Sequence, residues 1–157
     1  MGEDKNYLKS IETLIDEMKI FNESENFYKK YYEASKNPTE LHRFLQKLDM
    51  NFVKEHQLLI LEKKETLPPI FMENFFFNYV SNKNVVIEKH NRYSPALVHK
   101  HNYFEMLYVL EGNLSHVVNS LNVHLQKGDV CIIPPGVFHQ VNVFDDETIV
   151  LNIMIRK

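Results

Sequence analysis

The chain has 157 residues, 44% of them hydrophobic and 25% charged, with a formal net charge of -3. That is enough for one domain, or for one domain plus a helical extension, in a globular protein. It excludes a strongly basic surface: residues 1–67 carry 11 Lys and Arg against 13 Asp and Glu, and residues 68–157 carry 7 against 8. Neither part is built to neutralise phosphates, so these residues are not expected to bind DNA by themselves.

Up to about residue 65 the pattern is helical, and only Gly2 precedes Gly112. Leu8, Ile11, Leu14, Ile15 and Met18 recur at the three-and-four spacing of one helix face. Asn22 to Ser24 breaks that run and offers caps. Phe27, Tyr31 and Tyr32 mark a second, shorter helix. A third begins with Asn37 as N-cap, Pro38 at the first helical position and Glu40 two residues later. Leu41, Phe44, Leu45, Leu48, Phe52 and Val53 continue its stripe. These apolar and aromatic stripes are expected to pack as core, with an association surface as the alternative. The paired prolines in the segment from Leu67 to Ile70 force extended backbone and end the helical region as a linker.

From there the period changes to two. Seven short stretches, NVVIEKHNRY, LVHKHNYFEMLYVL, LSHVVNS, NVHLQ, DVCIIP, VFHQVNVF and TIVLNIMI, are rich in β-branched and aromatic residues. Turn signals separate them at Glu111-Gly112-Asn113, Lys127-Gly128-Asp129, Pro134-Pro135-Gly136 and Asp145-Asp146. The expected fold class is α+β: an N-terminal helical region of about three helices over residues 1–67, then an antiparallel sandwich or small barrel over residues 68–157. No stretch reaches ~20 apolar residues, so no membrane helix is expected. The charged opening MGEDKNYLKS is no secretory signal. One cysteine, Cys131, excludes an internal disulfide, reads as a small buried hydrophobe and fits the cytoplasm.

Side chains on a strand alternate between faces. His99, His101, Tyr103, Glu105, Leu107 and Val109 share one parity; Phe104, Met106 and Tyr108 take the other. Two imidazoles and a carboxylate therefore face one side, and His139 follows the Pro134-Pro135-Gly136 turn. His99, His101, Glu105 and His139 make a shell for a divalent metal at ligand distances of about 2.0–2.2 Å, with Zn, Ni, Fe(II) and Mn all compatible. The alternative is a hydrogen-bonded cluster holding strand ends or a ligand, with Glu105 anchored on a backbone amide. Tyr93, Tyr103, Leu107 and Phe138 are candidate effector-binding positions, set against ordinary core packing. His116 and His124 are expected at solvated or edge positions, and His42, His56 and His90 show no convergent spacing.

The spacing of His99-Lys100-His101, Glu105 and Gly112, followed by that of Gly128, Pro134, Gly136 and His139, resembles the two signatures of the cupins. The second signature usually closes on an Asn four places after its His, where this chain has Val143. The wording HKHNYFEMLYVLEG and LQKGDVCIIPPGVFHQV further resembles the amino-terminal sensing domain of AraC-type transcription regulators. The resemblance implies a double-stranded β-helix that binds a small effector, forms homodimers and acts on DNA through a carboxy-terminal helix-turn-helix domain. That domain is expected but absent from these 157 residues. It implies ligand binding rather than catalysis. The alternative function is a metal-dependent cupin enzyme of the dioxygenase or isomerase type. A third is an interaction module using the helical stripes.

Overall fold

The computed structural model describes residues 3–67, 71, 77 and 83–157, with side chains described at residue 10 and from residue 12 onward. The proline-paired linker at residues 68–70 lies outside the described residues, as do the side chains of Leu8 and Ile11. Among the described residues no helix is long and apolar enough to cross a membrane.

Four helices come first: α1 (Glu3–Lys19), α2 (Glu23–Ser35), α3 (Pro38–Gln46) and α4 (Met50–Glu55). Helix α2 starts with a reciprocal cap, in which the Glu25 amide donates to Asn22 Oδ1 at 2.7 Å and the Asn22 amide donates to Glu25 Oε2 at 3.1 Å. Asn37 caps α3 through the amides of Thr39 and Glu40, with Pro38 at its first turn. The single third helix expected from the stripe is instead two. Asp49 accepts from the amides of Asn51 and Phe52 at 2.9 and 3.3 Å, so its carboxylate starts a new helix where the periodicity alone would continue the old one.

That break turns Phe52, Val53 and Leu58 back onto α2. Tyr28, Tyr31, Val53, Leu58, Ile60 and Tyr93 form one buried cluster, flanked by Phe27, Leu41, Phe44 and Leu48. Tyr31 and Val53 of the stripes, with Tyr28, are therefore used inside the chain as core, while α3 keeps no fully buried residue. Tyr28 and Tyr31 also accept the amides of Leu59 and Leu61, which fixes the segment after α4.

Seven strands follow: β1 (Val85–Lys89), β2 (Phe104–Glu111), β3 (Asn113–Val118), β4 (Leu121–Gln126), β5 (Val130–Ile133), β6 (His139–Asn142) and β7 (Ile149–Ile155). They form an antiparallel four-stranded sheet, β1-β7-β2-β5, and a three-stranded sheet, β4-β3-β6. Leu107, Val109, Leu114, Ile133, Val141, Val143 and Val150 fill the space between the sheets, and the partly buried Cys131 packs against them. This is the expected α+β architecture, with an antiparallel β half of two packed sheets. Gly112 closes the β2–β3 turn at φ 76, and a Cβ there would lie 2.8 Å from the Thr148 Cα, so only glycine fits.

The two halves are joined by a charge network. Glu25 is fully buried, and Arg92, just after β1, is 1% exposed. Arg92 Nε donates to Glu25 Oε1 at 2.8 Å, and Lys89 Nζ donates to Glu25 Oε2 at 2.7 Å. Arg92 Nη2 and Lys89 Nζ also reach the carbonyls of Lys19 and Met18 at 2.9 Å, on the last turn of α1, where the helix dipole favours cations. Arg92 Nη1 donates to the Asp146 carbonyl as well.

Burial alone raises the Glu25 carboxyl, but Arg92, Lys89 and the Asn22 and Arg92 amides outweigh it and hold the group below its ordinary 4.5. Glu25→Ala strands two cations, one of them dry, and urea unfolding will show a loss of about 3–5 kcal/mol. Because the folded value lies below the unfolded one, the stabilisation is present above pH 4.5 and disappears as the pH falls through the folded value. A pH series of urea midpoints will show this acid-side decline in the parent protein and a shallower one in Glu25→Ala.

Candidate metal and ligand site

Strand β2 turns Glu105 inward by the same alternation that buries Leu107 and Val109. Upstream, residues 99 and 101 sit in isolated bridges. The His99 and His139 backbones exchange two hydrogen bonds of 3.0 and 2.9 Å, and the Gly136 amide donates to the His101 carbonyl at 2.8 Å. The turn at Pro134-Pro135-Gly136 thus places the start of β6 against the strand that carries His101.

Three ligand atoms converge as a result. One atom each from His101, Glu105 and His139 lies within 4.8 Å of the others, and all three residues are buried. Glu105 Oε2 is 3.5 Å from both His101 Nε2 and His139 Nε2. At that length neither contact is a good hydrogen bond, and all three atoms are buried without a hydrogen-bond partner.

The tautomer sharpens the point. His101 Nδ1 donates to the Tyr103 carbonyl at 2.7 Å, which leaves a lone pair on Nε2 when the ring is neutral. Burial pushes His139 down to about 3, so that ring is neutral at ordinary pH. A buried carboxylate facing the His101 Nε2 lone pair is costly without a positive centre between them. The donor set, two imidazole nitrogens and one carboxylate oxygen, fits a divalent transition metal.

Of the four ligands expected from the sequence, these three are gathered and His99 stands beside them. Its Nδ1 donates to the Leu97 carbonyl at 2.9 Å, and its ring packs 4.2 Å from that of His139. Among the effector candidates, Tyr103 lines the adjoining cavity and stacks on His101 at 4.3 Å. Leu107 is sealed in the barrel core. Tyr93 belongs to the helical cluster and donates its hydroxyl to Asp146 at 2.6 Å, because a turn at φ 62 swings it off the strand parity. Phe138 is half exposed with Lys100 Nζ 4.9 Å above its ring; it precedes an inward residue and so points outward.

His116 corrects the expectation of an edge position. It is fully buried, and its Nε2 lies 3.1 Å from His139 Nδ1. The parity argument used for β2 would have found it, since Leu114 and His116 alternate inward on β3. His124 is exposed, as expected.

A cavity of about 170 Å³ opens beside the triad. The barrel contributes His99, Tyr103, Glu105 and Asn152 to its lining, and the helical half contributes Tyr28, Gln57 and Leu59. His90 also lines it, and burial pushes that imidazole down to about 4. Asn152 interrupts the inward apolar phase of β7 between Val150 and Met154, and its Oδ1 is buried without a partner.

The cupin domain family model matches residues 84–154, the stretch that holds β1 to β6 and nearly all of β7. No curated protein is matched. Solved structures similar to the chain include KdgF from Halomonas sp., at 19% identity and a TM-score of 0.41 over 46% of this chain and 68% of that one. An RmlC-like cupin from Shewanella frigidimarina is 22% identical, with a TM-score of 0.40 over 48% and 69%. A cupin protein from Bacteroides fragilis is 22% identical, with a TM-score of 0.41 over 52% and 73%.

His116 fixes the orientation of His139 from behind. Replacing it as His116→Leu will weaken binding of added Zn or Ni by about 10–100-fold in a competition titration, whereas His124→Leu will leave it unchanged.

Proposed function

With residues 84–154 matching a cupin domain, we propose that the chain holds one divalent transition metal on His101, Glu105 and His139 and binds a small effector beside it. The observation that carries this reading is the convergence of three buried ligand atoms that have no other partner. A metal there supplies a Lewis-acidic anchor for an oxygen of the effector. The chain's own groups do the rest. Asn152 Oδ1 accepts from an O–H or N–H of the ligand, and Tyr103, Phe71 and Leu97 form an apolar wall. The volume of about 170 Å³ lies below the ~300–1,000 Å³ of most pockets, which restricts the occupant to a small molecule.

The finer reading is that this is the cytoplasmic sensing part of an AraC-type transcription regulator, with DNA reached through a helix-turn-helix domain outside these 157 residues. Two features support it. The β2 and β5–β6 wording resembles that family, and the cavity draws walls from both barrel and helices. A ligand touching both halves favours one of their arrangements by its difference in affinity for the two, and it can transmit no more than that difference. An enzymatic reading is favoured by one observation: Glu88 and His90 line the same cavity and could exchange protons with a bound molecule.

Metal analysis of protein purified without chelator, before and after adding Fe(II), Zn, Ni or Mn, tests the central claim. Near-stoichiometric metal is expected, with His101→Ala losing it. A cluster that is only structural would bind none of these ions, and His101→Ala would then change stability alone, by about 1–3 kcal/mol.

A further inference from the structure

Three polar side chains stand in series on the wall of the cavity beside the triad. Asn152 Nδ2 lies 3.4 Å from His90 Nδ1, and His90 Nε2 lies 3.2 Å from Ser94 Oγ. All three residues line the cavity. Asn152 comes from β7, while His90 and Ser94 follow the end of β1, its neighbour in the sheet. None of them is a metal ligand. Asn152 Oδ1 is nonetheless buried without a partner, and a buried polar atom left unanswered within the chain needs a reason.

The series has a direction. The Asn152 Nδ2 group only donates, so His90 Nδ1 accepts. The neutral ring then carries its proton on Nε2 and donates it to Ser94 Oγ. Burial keeps the imidazole neutral, since it pushes the group down to about 4. One end of the series is therefore an acceptor, Asn152 Oδ1, and the other is a donor, the Ser94 hydroxyl proton. Run in the opposite sense, the two ends exchange roles. Hydroxyl groups, which both donate and accept, answer them either way.

We propose that Asn152, His90 and Ser94 form a hydroxyl-reading subsite, and that the effector is a small molecule bearing uncharged hydroxyl groups besides the oxygen that meets the metal. This rests on the ligand-binding reading above and narrows its ligand class. Asn152 and Ser94 touch the ligand, and His90 is the positioning residue that sets which of them donates. A second charged group on the ligand is disfavoured. Lys89 is the cation on the cavity wall, but its Nζ is held by Glu25 Oε2 at 2.7 Å and by the Met18 carbonyl at 2.9 Å. The acids on the wall are Glu88 and Glu105, so a second carboxylate would meet like charge and no counterion. A molecule lacking the hydroxyls would leave the buried Asn152 Oδ1 unanswered.

Calorimetric titration of the Zn-loaded full chain with three small acids tests it: propanoate, its 2,3-dihydroxy derivative glycerate, and the diacid succinate. Glycerate is expected to bind at least tenfold more tightly than propanoate, and succinate no more tightly than propanoate. Ser94→Ala and His90→Phe are expected to cut the preference for glycerate to about threefold or less, with Zn content and propanoate affinity kept. Ser94→Thr, which retains the hydroxyl, is expected to keep the preference. Ser94 is only partly buried, so its alanine variant decides the matter even where His90→Phe folds poorly. A Zn-loaded chain that binds glycerate no better than propanoate, or succinate as tightly as glycerate, overturns the inference. So does a preference that survives in Ser94→Ala. A chain that takes up no Zn overturns the metal reading and this one with it, and its Zn content shows that before any acid is added.

Discussion

A single carboxylate, Glu25, decides how the two halves of this protein meet. It has no access to water, and in a dry interior an unpaired charge is among the most expensive groups a fold can hold. It is tolerated because Arg92 and Lys89 come to it from the barrel side while its own helix end supplies the Asn22 amide. The same two cations reach the last carbonyls of α1. One buried charge centre thus ties together the end of α1, the start of α2 and the exit of β1. An ion pair of this kind adds little net stability over an apolar replacement, but it specifies geometry, because any shift of the helices leaves charges unmatched.

The cavity beside the triad inherits that geometry. Tyr28 is three residues along α2 from Glu25, and its hydroxyl holds Leu59; both line the cavity whose inner end is Glu105. The triad is the opposite kind of electrostatic arrangement. Around Glu25 both cations are answered within the chain, whereas Glu105 Oε2 stands 3.5 Å from two imidazole nitrogens and has no hydrogen-bond partner. One cluster is complete in itself, whereas the other leaves three ligand atoms close enough together to hold a cation.

Much of this was legible in the linear chain, for a local reason. Strand parity is a property of neighbouring residues, so the inward turn of Glu105 and the break at Gly112 follow from the sequence without knowing the fold. His139 was reachable through the spacing of the turn before it. His116 obeys the same rule on β3, where it and Leu114 alternate inward. Glu25 could not be found this way: within four residues of Asn22 it reads as an ordinary capping glutamate, and its true partners lie more than sixty residues away. The split between α3 and α4 was visible in Asp49 but masked by an apolar stripe that runs through both helices.

The division of labour around the cavity has an evolutionary consequence. The triad atoms belong to the barrel, while Tyr28, Gln57 and Leu59 belong to the helical half. On the proposed ligand-binding reading, substitutions at these three positions reshape which molecules are admitted without disturbing the barrel residues that would grip them. Descendants of such a chain could therefore drift in selectivity while inheriting the same inner chemistry.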